Sequence, residues 1–215
     1  MCGIVAIVRR LSTRPAPTSA QVLTLVNAAT AAFDTDSVEA MNECKRSLQE
    51  LNTLLLGVPG AIALMESSGL ASEVAAQLEP RANALTSAAG EAFERGIVIA
   101  EDLNAARRSV KDTLWAVLRD RLSVPEGIRA LGGSGAPHSQ IAALCSVHDA
   151  LSALDRLEVR GRDSLGLHLF VSGHGENLDD PALARAIAER SGESSFVNNA
   201  VRRVGDVVSF VYKES

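Results

Sequence analysis

The sequence predicts an α+β fold in which a mostly helical bundle interrupts a smaller part that contains β-strands. Hydrophobic residues make up 47% of the 215 residues, but aromatic residues only 3%, a composition that favours packed helices over an aromatic-rich β-sandwich. Short runs rich in β-branched residues lie near both ends of the chain, whereas the middle repeats apolar residues at helical spacing. A chain of this length can bury one or two hydrophobic cores.

The predicted elements begin with a strand over residues 3 to 8, buried on both faces and ending at Arg9 and Arg10. A helix is predicted from about 19 to 33. Asp36 and Glu39 have the spacing of a capping box, which predicts the start of a second helix whose apolar positions extend to Leu55.

Gly57, Pro59 and Gly60 are expected to interrupt the helical pattern, which resumes over about 70 to 94 and 100 to 122. The glycine-rich segment 131–137 predicts a flexible break, followed by a helix that ends near 158. A strand over 165–171, a polar turn over 173–180, a helix over 181–190 and a strand over 207–212 complete the prediction. The predicted domains are therefore a first strand (1–12), a helical insertion (13–135) and a continuation of the first part (136–215).

Charge and hydropathy exclude several classes of protein. The net charge is −5 and the basic residues form no cluster with aromatics, so no nucleic-acid partner is expected. No uninterrupted apolar stretch reaches about 18 residues, and no basic segment precedes the first apolar run, so neither a membrane association nor a signal peptide is expected. These features predict a cytoplasmic protein.

Cysteines and histidines do not have the spacing of a metal site. Cys2, Cys44 and Cys145 are widely separated and odd in number, which argues against a disulfide framework and against zinc. Cys44 and Cys145 lie among apolar helical residues and are predicted to be buried. His138, His148, His168 and His174 also lack ligand spacing, and Ser172–Gly175 is interpreted as a turn. No metal and no cofactor are predicted.

Cys2 differs from the other cysteines in its position. Removal of Met1 before such a small residue would leave a cysteine with both a thiol and a free α-amine. An unperturbed α-amine has a pKa near about 8, so it can accept the thiol proton near neutral pH. The simpler interpretation is that Cys2 only begins a buried strand.

A second motif favours the catalytic interpretation. The segment 157–166 reads Leu-Glu-Val-Arg-Gly-Arg-Asp-Ser-Leu-Gly, between a predicted helix and a predicted strand. Together with Met-Cys-Gly-Ile-Val at residues 1–5, it resembles the class II, N-terminal-nucleophile glutamine amidotransferase domain of glucosamine-6-phosphate synthases. The resemblance covers roughly residues 1–10 and 145–215.

The resemblance implies an αββα fold with Cys2 as nucleophile at a sheet end. It also implies that Gly3, Arg160, Gly161 and Asp163 line the glutamine pocket. The implied reaction releases ammonia from L-glutamine and passes it to a sugar-phosphate isomerase domain or chain downstream. That domain would convert fructose 6-phosphate to glucosamine 6-phosphate.

Several features depart from the family. Residues 13–135 stand where typical members have one helix, Arg162 replaces the usual tyrosine, and Leu165 replaces the usual alanine. No His-Thr-Arg-Trp or Asn-Gly segment follows residue 170, and Asn198-Asn199 does not substitute. Since the family takes oxyanion donors from those segments, and such donors contribute about 2.7–4 kcal/mol, residues 1–215 are expected to belong to a longer polypeptide and to be a poor glutaminase alone.

Other interpretations remain open. Amidophosphoribosyltransferases and asparagine synthetases also begin with such a cysteine. The bundle is a candidate docking module for a partner or for a second copy in a homodimer, against the simpler interpretation of a lid. The alternative function is a non-catalytic helical interaction or regulatory protein that retains a degenerate amidotransferase fold.

Overall fold

The structure of the protein is a computed structural model that describes residues 4–9, 12–96, 98–157, 165–192 and 201–214. The chain divides into two compact units. One consists of residues 7–149, and the other combines residues 1–6 with residues 150–215. The described residues form helices and one small antiparallel sheet, so the fold is α+β in the coarse sense.

A four-helix bundle forms the larger part of the unit 7–149. Its helices are α1 (Ser19–Ala31), α2 (Val38–Leu54), α4 (Leu70–Glu94) and α5 (Glu101–Trp115). Each helix packs against two others, in the cyclic order α1, α2, α5, α4. The buried side chains at the centre recur at helical spacing, and they include Val22, Val26, Met41, Leu48, Leu51, Val74, Leu78, Val110 and Leu114. The predicted helices over 19–33 and 70–94 are confirmed.

The start of α2 differs from its predicted start. Ser37, and not Asp36, is the capping residue, because the Ser37 hydroxyl accepts a hydrogen bond from the amide of Ala40. The Asp36 carboxylate instead accepts a hydrogen bond of 2.9 Å from Arg107 of α5. The capping-box prediction was wrong because a long-range partner on another helix competes for the carboxylate of Asp36.

Two short helices are not predicted by the sequence, and the first lies where Gly57, Pro59 and Gly60 were expected to interrupt the helical pattern. These are α3 (Gly57–Glu66) and α6 (Val124–Ala130), and they share a second buried cluster with α7 (His138–Leu157). Gly60 lets α3 approach the end of α2, since a Cβ at this position would lie 1.9 Å from the carbonyl oxygen of Leu55. Glycine and proline here start a helix and permit close packing, which an interpretation as helix breakers misses.

The direction of α5 relative to α2 follows from contacts at both of their ends. Val38 and Asn42 at the start of α2 line the same cleft as Asp102 and Ala105 at the start of α5. Helix α5 continues as a π-helix over Ala116–Arg121, and Arg121 donates a hydrogen bond of 2.8 Å to the side-chain oxygen of Asn52. The two helices therefore run side by side in the same direction, and the predicted helix over 100–122 is confirmed.

The sheet contains three antiparallel strands in the order β1, β3, β2, which are Leu165–Val171, Val207–Glu214 and Val201–Val204. Leu169 and Val201 both lie opposite Phe210. Helix α8 (Pro181–Ser191) covers one face of the sheet through Leu183 and Ile187. The strands predicted over 165–171 and 207–212 and the helix over 181–190 are confirmed, whereas β2 was missed because arginines interrupt its apolar pattern.

The predicted strand over residues 3–8 is not formed in its described part. Residues 4–9 have no regular secondary structure, and Ile4 and Val8 are each 94% exposed. A strand requires a partner for its backbone hydrogen bonds, and the three strands of the described sheet pair only with one another. An apolar run indicates a tendency to be buried but does not provide the neighbouring strand.

In the described ranges, no individual helix is long and apolar enough to cross a bilayer. Only α2 and α3 taken together have sufficient length and composition, and they are bent by 88° at the break between them.

Candidate functional site

All five predicted site residues lie outside the described residues. Cys2 and Gly3 precede the described segment 4–9, and Arg160, Gly161 and Asp163 stand between the end of α7 at Leu157 and the start of β1 at Leu165. The segments that adjoin these residues, 4–9, helix α7 and strand β1, do lie within the described residues. Both stretches of sequence fall in the same compact unit, which combines residues 1–6 with residues 150–215.

Arg9 attaches the segment that follows Cys2 and Gly3 to helix α7. Its guanidinium donates a hydrogen bond of 3.0 Å to the hydroxyl of Ser146 and forms an ion pair with Asp149. Only 23% of the Arg9 side chain is exposed, so the contact is partly shielded from water. The sequence predicted that Arg9 reaches solvent at the end of a strand, whereas in the structure it binds the helix that ends shortly before Arg160.

Chain lengths set how far the predicted site residues can lie from this anchor. Arg9 lies seven positions after Cys2 in the chain, a span of at most about 25 Å. From Asp149, eight helical residues to Leu157 rise about 12 Å, and three further residues reach Arg160 within about 11 Å. Both motifs are thus tethered to one helix by short connections.

The loop after β1 is held against the turn between β2 and β3. The His174 ring accepts a hydrogen bond of 3.0 Å from the amide of Glu176 at Nδ1, and Nε2 lies 2.7 Å from the carbonyl oxygen of Asp206. This arrangement fits the tautomer in which Nδ1 accepts from the Glu176 amide and Nε2 donates to the carbonyl oxygen of Asp206. This geometry assigns His174 a structural role and leaves neither ring nitrogen for a metal.

A second contact to the same loop comes from Arg203 on β2. Its guanidinium donates hydrogen bonds to the carbonyl oxygen of Leu178 at 3.1 Å and to the carboxylate of Asp179 at 2.6 Å. The hydrogen bond from Arg203, followed by its positive charge, lowers the pKa of the Asp179 carboxyl. This ion pair is exposed, so it fixes the position of the loop more than it stabilises the fold.

The two remaining cysteines are buried, as predicted. Cys44 and Cys145 are each 2% exposed and are not disulfide-bonded. Burial raises the pKa of both thiols to about 11, because the thiolate loses hydration. For Cys145 the nearby Arg9 opposes this shift and Asp149 adds to it. Neither thiol has the surroundings of a reactive nucleophile.

The other histidines make isolated contacts. His138 lies 2.6 Å from the carboxylate of Glu66, and the rings of His168 and Phe170 have centroids 4.0 Å apart. The His148 ring lies so close to Gly127 that a Cβ there would be 2.3 Å from Nδ1. Within the part of the chain that the structure describes, no three histidine, cysteine or acidic side chains form a group that could hold a metal ion.

Two open clefts lie on the helical bundle. The first, of about 250 Å³, separates the starts of α2 and α5. The second, of about 450 Å³, lies at the end of α2 and is lined by Arg14, Leu25, Arg46, Gln49, Glu50, Thr53 and Leu54. Neither contains a cysteine or histidine. Helical periodicity alone could not reveal these clefts, because it gives the faces of each helix but not which helices are neighbours.

Comparisons with protein-family models, with curated proteins and with solved structures found no match for this chain.

Proposed function

We propose that the protein is the glutaminase part of a class II glutamine amidotransferase with Cys2 as its nucleophile. Its sheet and α8 would belong to an αββα fold of the N-terminal-nucleophile type, which the helical bundle interrupts. Ammonia released from L-glutamine would be transferred to a sugar phosphate, with conversion of fructose 6-phosphate to glucosamine 6-phosphate as the overall reaction. The two sequence motifs that begin at Cys2 and lead to Arg160 support this assignment.

The structural observation that carries the proposal is the anchoring of Arg9 on α7. Arg9 follows the Cys2 motif, and Ser146 and Asp149 lie on the helix that leads to the Arg160 motif. The short connections on either side of this contact allow the two motifs, although they lie at opposite ends of the sequence, to contribute to one glutamine pocket. The start of β1 soon after Gly161 agrees with a turn between a helix and a strand.

The chemistry requires that Cys2 become the first residue. Its α-amine would take the thiol proton, and the thiolate would attack the side-chain carbonyl carbon of glutamine. Collapse of the tetrahedral intermediate breaks the C–N bond, and the proton held by the amine passes to the departing ammonia. Water then hydrolyses the γ-glutamyl thioester, releasing glutamate and restoring the thiol.

The pocket residues have separate roles in this scheme. The Arg160 guanidinium offers a planar pair of donors for the α-carboxylate of glutamine. Gly3 and Gly161 let the backbone approach the substrate closely, and Asp163 is available for the α-ammonium group. No candidate for the oxyanion donors is found in the sequence after residue 170, and this loss slows acylation by about 10²–10³-fold. We propose that a sugar-phosphate isomerase domain or chain in the cytoplasm receives the ammonia and that such a partner supplies those donors.

Labelling with 6-diazo-5-oxo-L-norleucine, a glutamine analogue, tests the proposal. The thiolate attacks its diazomethyl carbon, which is protonated as dinitrogen leaves, so a stable C–S bond forms. We expect one label per chain on Cys2, no label in Cys2→Ala, and much slower labelling in Arg160→Ala. Cys44→Ala provides the matched control and should label at the normal rate. A label on Cys44 or Cys145, or none on Cys2 at millimolar analogue, would refute the proposal.

Two observations favour the alternative function. Residues 4–9 form no strand, although an amidotransferase needs one directly after its nucleophile, and a four-helix bundle accounts for the largest core. A non-catalytic interaction protein with a degenerate amidotransferase fold would have these features. It would leave Cys2 unlabelled by the glutamine analogue while iodoacetamide still modifies it.

A further inference from the structure

An exposed apolar tip marks the turn between α4 and α5. Phe93 in the last turn of α4 is 89% exposed, and Val98 in the connection is 95% exposed. Large apolar side chains so exposed and so close together indicate a contact with another molecule more often than an isolated surface residue does. Four acidic residues and one arginine lie within a few positions of this tip in the sequence, and all are exposed: Glu91, Glu94, Glu101, Asp102 and Arg95.

The second cleft has the complementary character. Leu25 and Leu54 are partly buried apolar residues within it, and Leu56, 49% exposed, follows at the end of α2. Its charged lining residues are two arginines, Arg14 and Arg46, and one glutamate. Its volume of about 450 Å³ is large enough for a phenylalanine side chain.

The arginines of this cleft are held in different ways. Arg14 donates hydrogen bonds to the carbonyl oxygens of Thr53 and Leu56, so its charge lies fixed at the C-terminal end of α2. Arg46 pairs with Glu43 one turn earlier on the same helix, with both side chains more than half exposed. Such a pair exchanges partners at little cost, so Arg46 can turn to a carboxylate of another molecule.

The tip and the cleft lie at opposite ends of the bundle. The tip directly precedes the start of α5, which lies beside the start of α2, whereas the cleft surrounds the last turns of α2. Helix α2 has 17 residues and a length of about 25 Å. The tip therefore cannot enter the cleft of its own chain.

We propose that the protein associates with itself head to tail, the α4–α5 tip of one copy entering the cleft at the end of α2 of the next. Phe93 and Val98 pack on Leu25 and Leu54, and the acidic surroundings of the tip face the cleft arginines. The contact is heterologous, so it produces short open chains or closed rings.

Sedimentation velocity of the full chain over a range of concentrations tests this proposal. The average mass should rise with concentration for the natural sequence, and the rise should disappear in a tip variant, Phe93→Asp. It should also disappear in a cleft variant, Arg46→Glu/Thr53→Glu, which places two acids where the acidic tip would dock. Phe170→Asp is the matched control, because Phe170 is 69% exposed on the sheet and lies outside both surfaces.

Mixing the two variants distinguishes the head-to-tail contact from other contacts. The tip variant keeps an intact cleft and the cleft variant keeps an intact tip, so an equimolar mixture should form a capped heterodimer that neither forms alone. Circular dichroism of each variant shows whether it is folded, and Val98→Asp replaces Phe93→Asp if the latter is not. A monomer at all concentrations, a rise abolished only by the tip variant, or a mixture without heterodimer would overturn the proposal. The proposal would also be overturned if the protein did not self-associate but co-sedimented with phosphatidylcholine vesicles, and the tip variant did not. That result would assign the tip to a lipid surface.

Discussion

The reactivities of the three thiols should differ by more than an order of magnitude, and the difference can be worked out for the buried pair. At pH 7.5 a thiol with the pKa of about 11 of Cys44 and Cys145 is ionised to about 3 × 10⁻⁴, against about 0.09 for an ordinary thiol of pKa about 8.5. The stronger nucleophilicity of the more basic thiolate recovers about 13-fold of this roughly 300-fold difference. About 20-fold slower alkylation remains from ionisation alone, and burial at 2% exposure slows the reaction further.

Pulsed alkylation with iodoacetamide and peptide mass spectrometry measures these rates. In the folded protein, Cys2 should be modified first, and Cys44 and Cys145 at least about 20-fold more slowly than the same residues in guanidinium chloride. In the denatured chain Cys44 and Cys145 should react at similar rates, because their burial is lost. Native modification of Cys44 or Cys145 within threefold of its denatured rate would contradict both the burial and the assignment of Cys2 as the reactive thiol.

Three further predictions concern stability. Gly60→Ala should lower the free energy of unfolding by about 1–3 kcal/mol or more, because the added Cβ meets backbone atoms of Leu55. Gly90→Ala, where a Cβ meets no other atom, should raise it by about 0.5–1 kcal/mol. Urea unfolding followed by circular dichroism measures both, and equal effects would contradict the packing of α3 on α2. In the same assay, Leu48→Ala should lower the free energy of unfolding by about 2–5 kcal/mol, because Leu48 is 0% exposed, and Leu56→Ala, at 49% exposure, should lower it much less. Similar losses of stability would contradict the assignment of Leu48 to the core. Because the pKa of Asp179 is lowered in the folded protein, its ion pair with Arg203 stabilises the loop at pH values above the carboxyl pKa of the unfolded chain and is lost as pH falls through the pKa of the folded protein. Amide hydrogen exchange in residues 172–180 should therefore become faster on acidification. The same acceleration in Asp179→Asn would exclude this ion pair as the cause.

Helix and strand periodicity predicted much of the secondary structure, because these elements carry their own patterns and ends. Helix α7 ends at Leu157, close to the predicted 158, and β1 occupies the predicted 165–171. Local pattern failed where tertiary contacts decide the outcome. Gly60 was expected to break a helix but allows α3 to pack on α2, and Asp36 was expected to cap α2 but binds Arg107.

The candidate site shows a different division between what sequence can and cannot predict. Residue type and position were enough to propose that Cys2 is a nucleophile and that Arg160 binds the carboxylate of glutamine. The anchoring of Arg9 on Asp149 could not be predicted, since it joins residues 140 positions apart and follows only from their arrangement in the fold. The same limit applies to the exposed tip at Phe93, because its apolar pattern alone is that of an ordinary buried helix.

Protection of Cys2 by glutamine is the most direct test of the central claim, that Cys2 lies in a glutamine site. The measurement is the rate of Cys2 alkylation by iodoacetamide in the Cys44→Ala/Cys145→Ala variant, with L-glutamine or L-asparagine added at equal concentration. We predict that glutamine slows alkylation at least several-fold, that asparagine does not, and that Arg160→Ala removes the protection. Identical rates with glutamine, with asparagine and without either would show that Cys2 is an exposed thiol with no glutamine site around it.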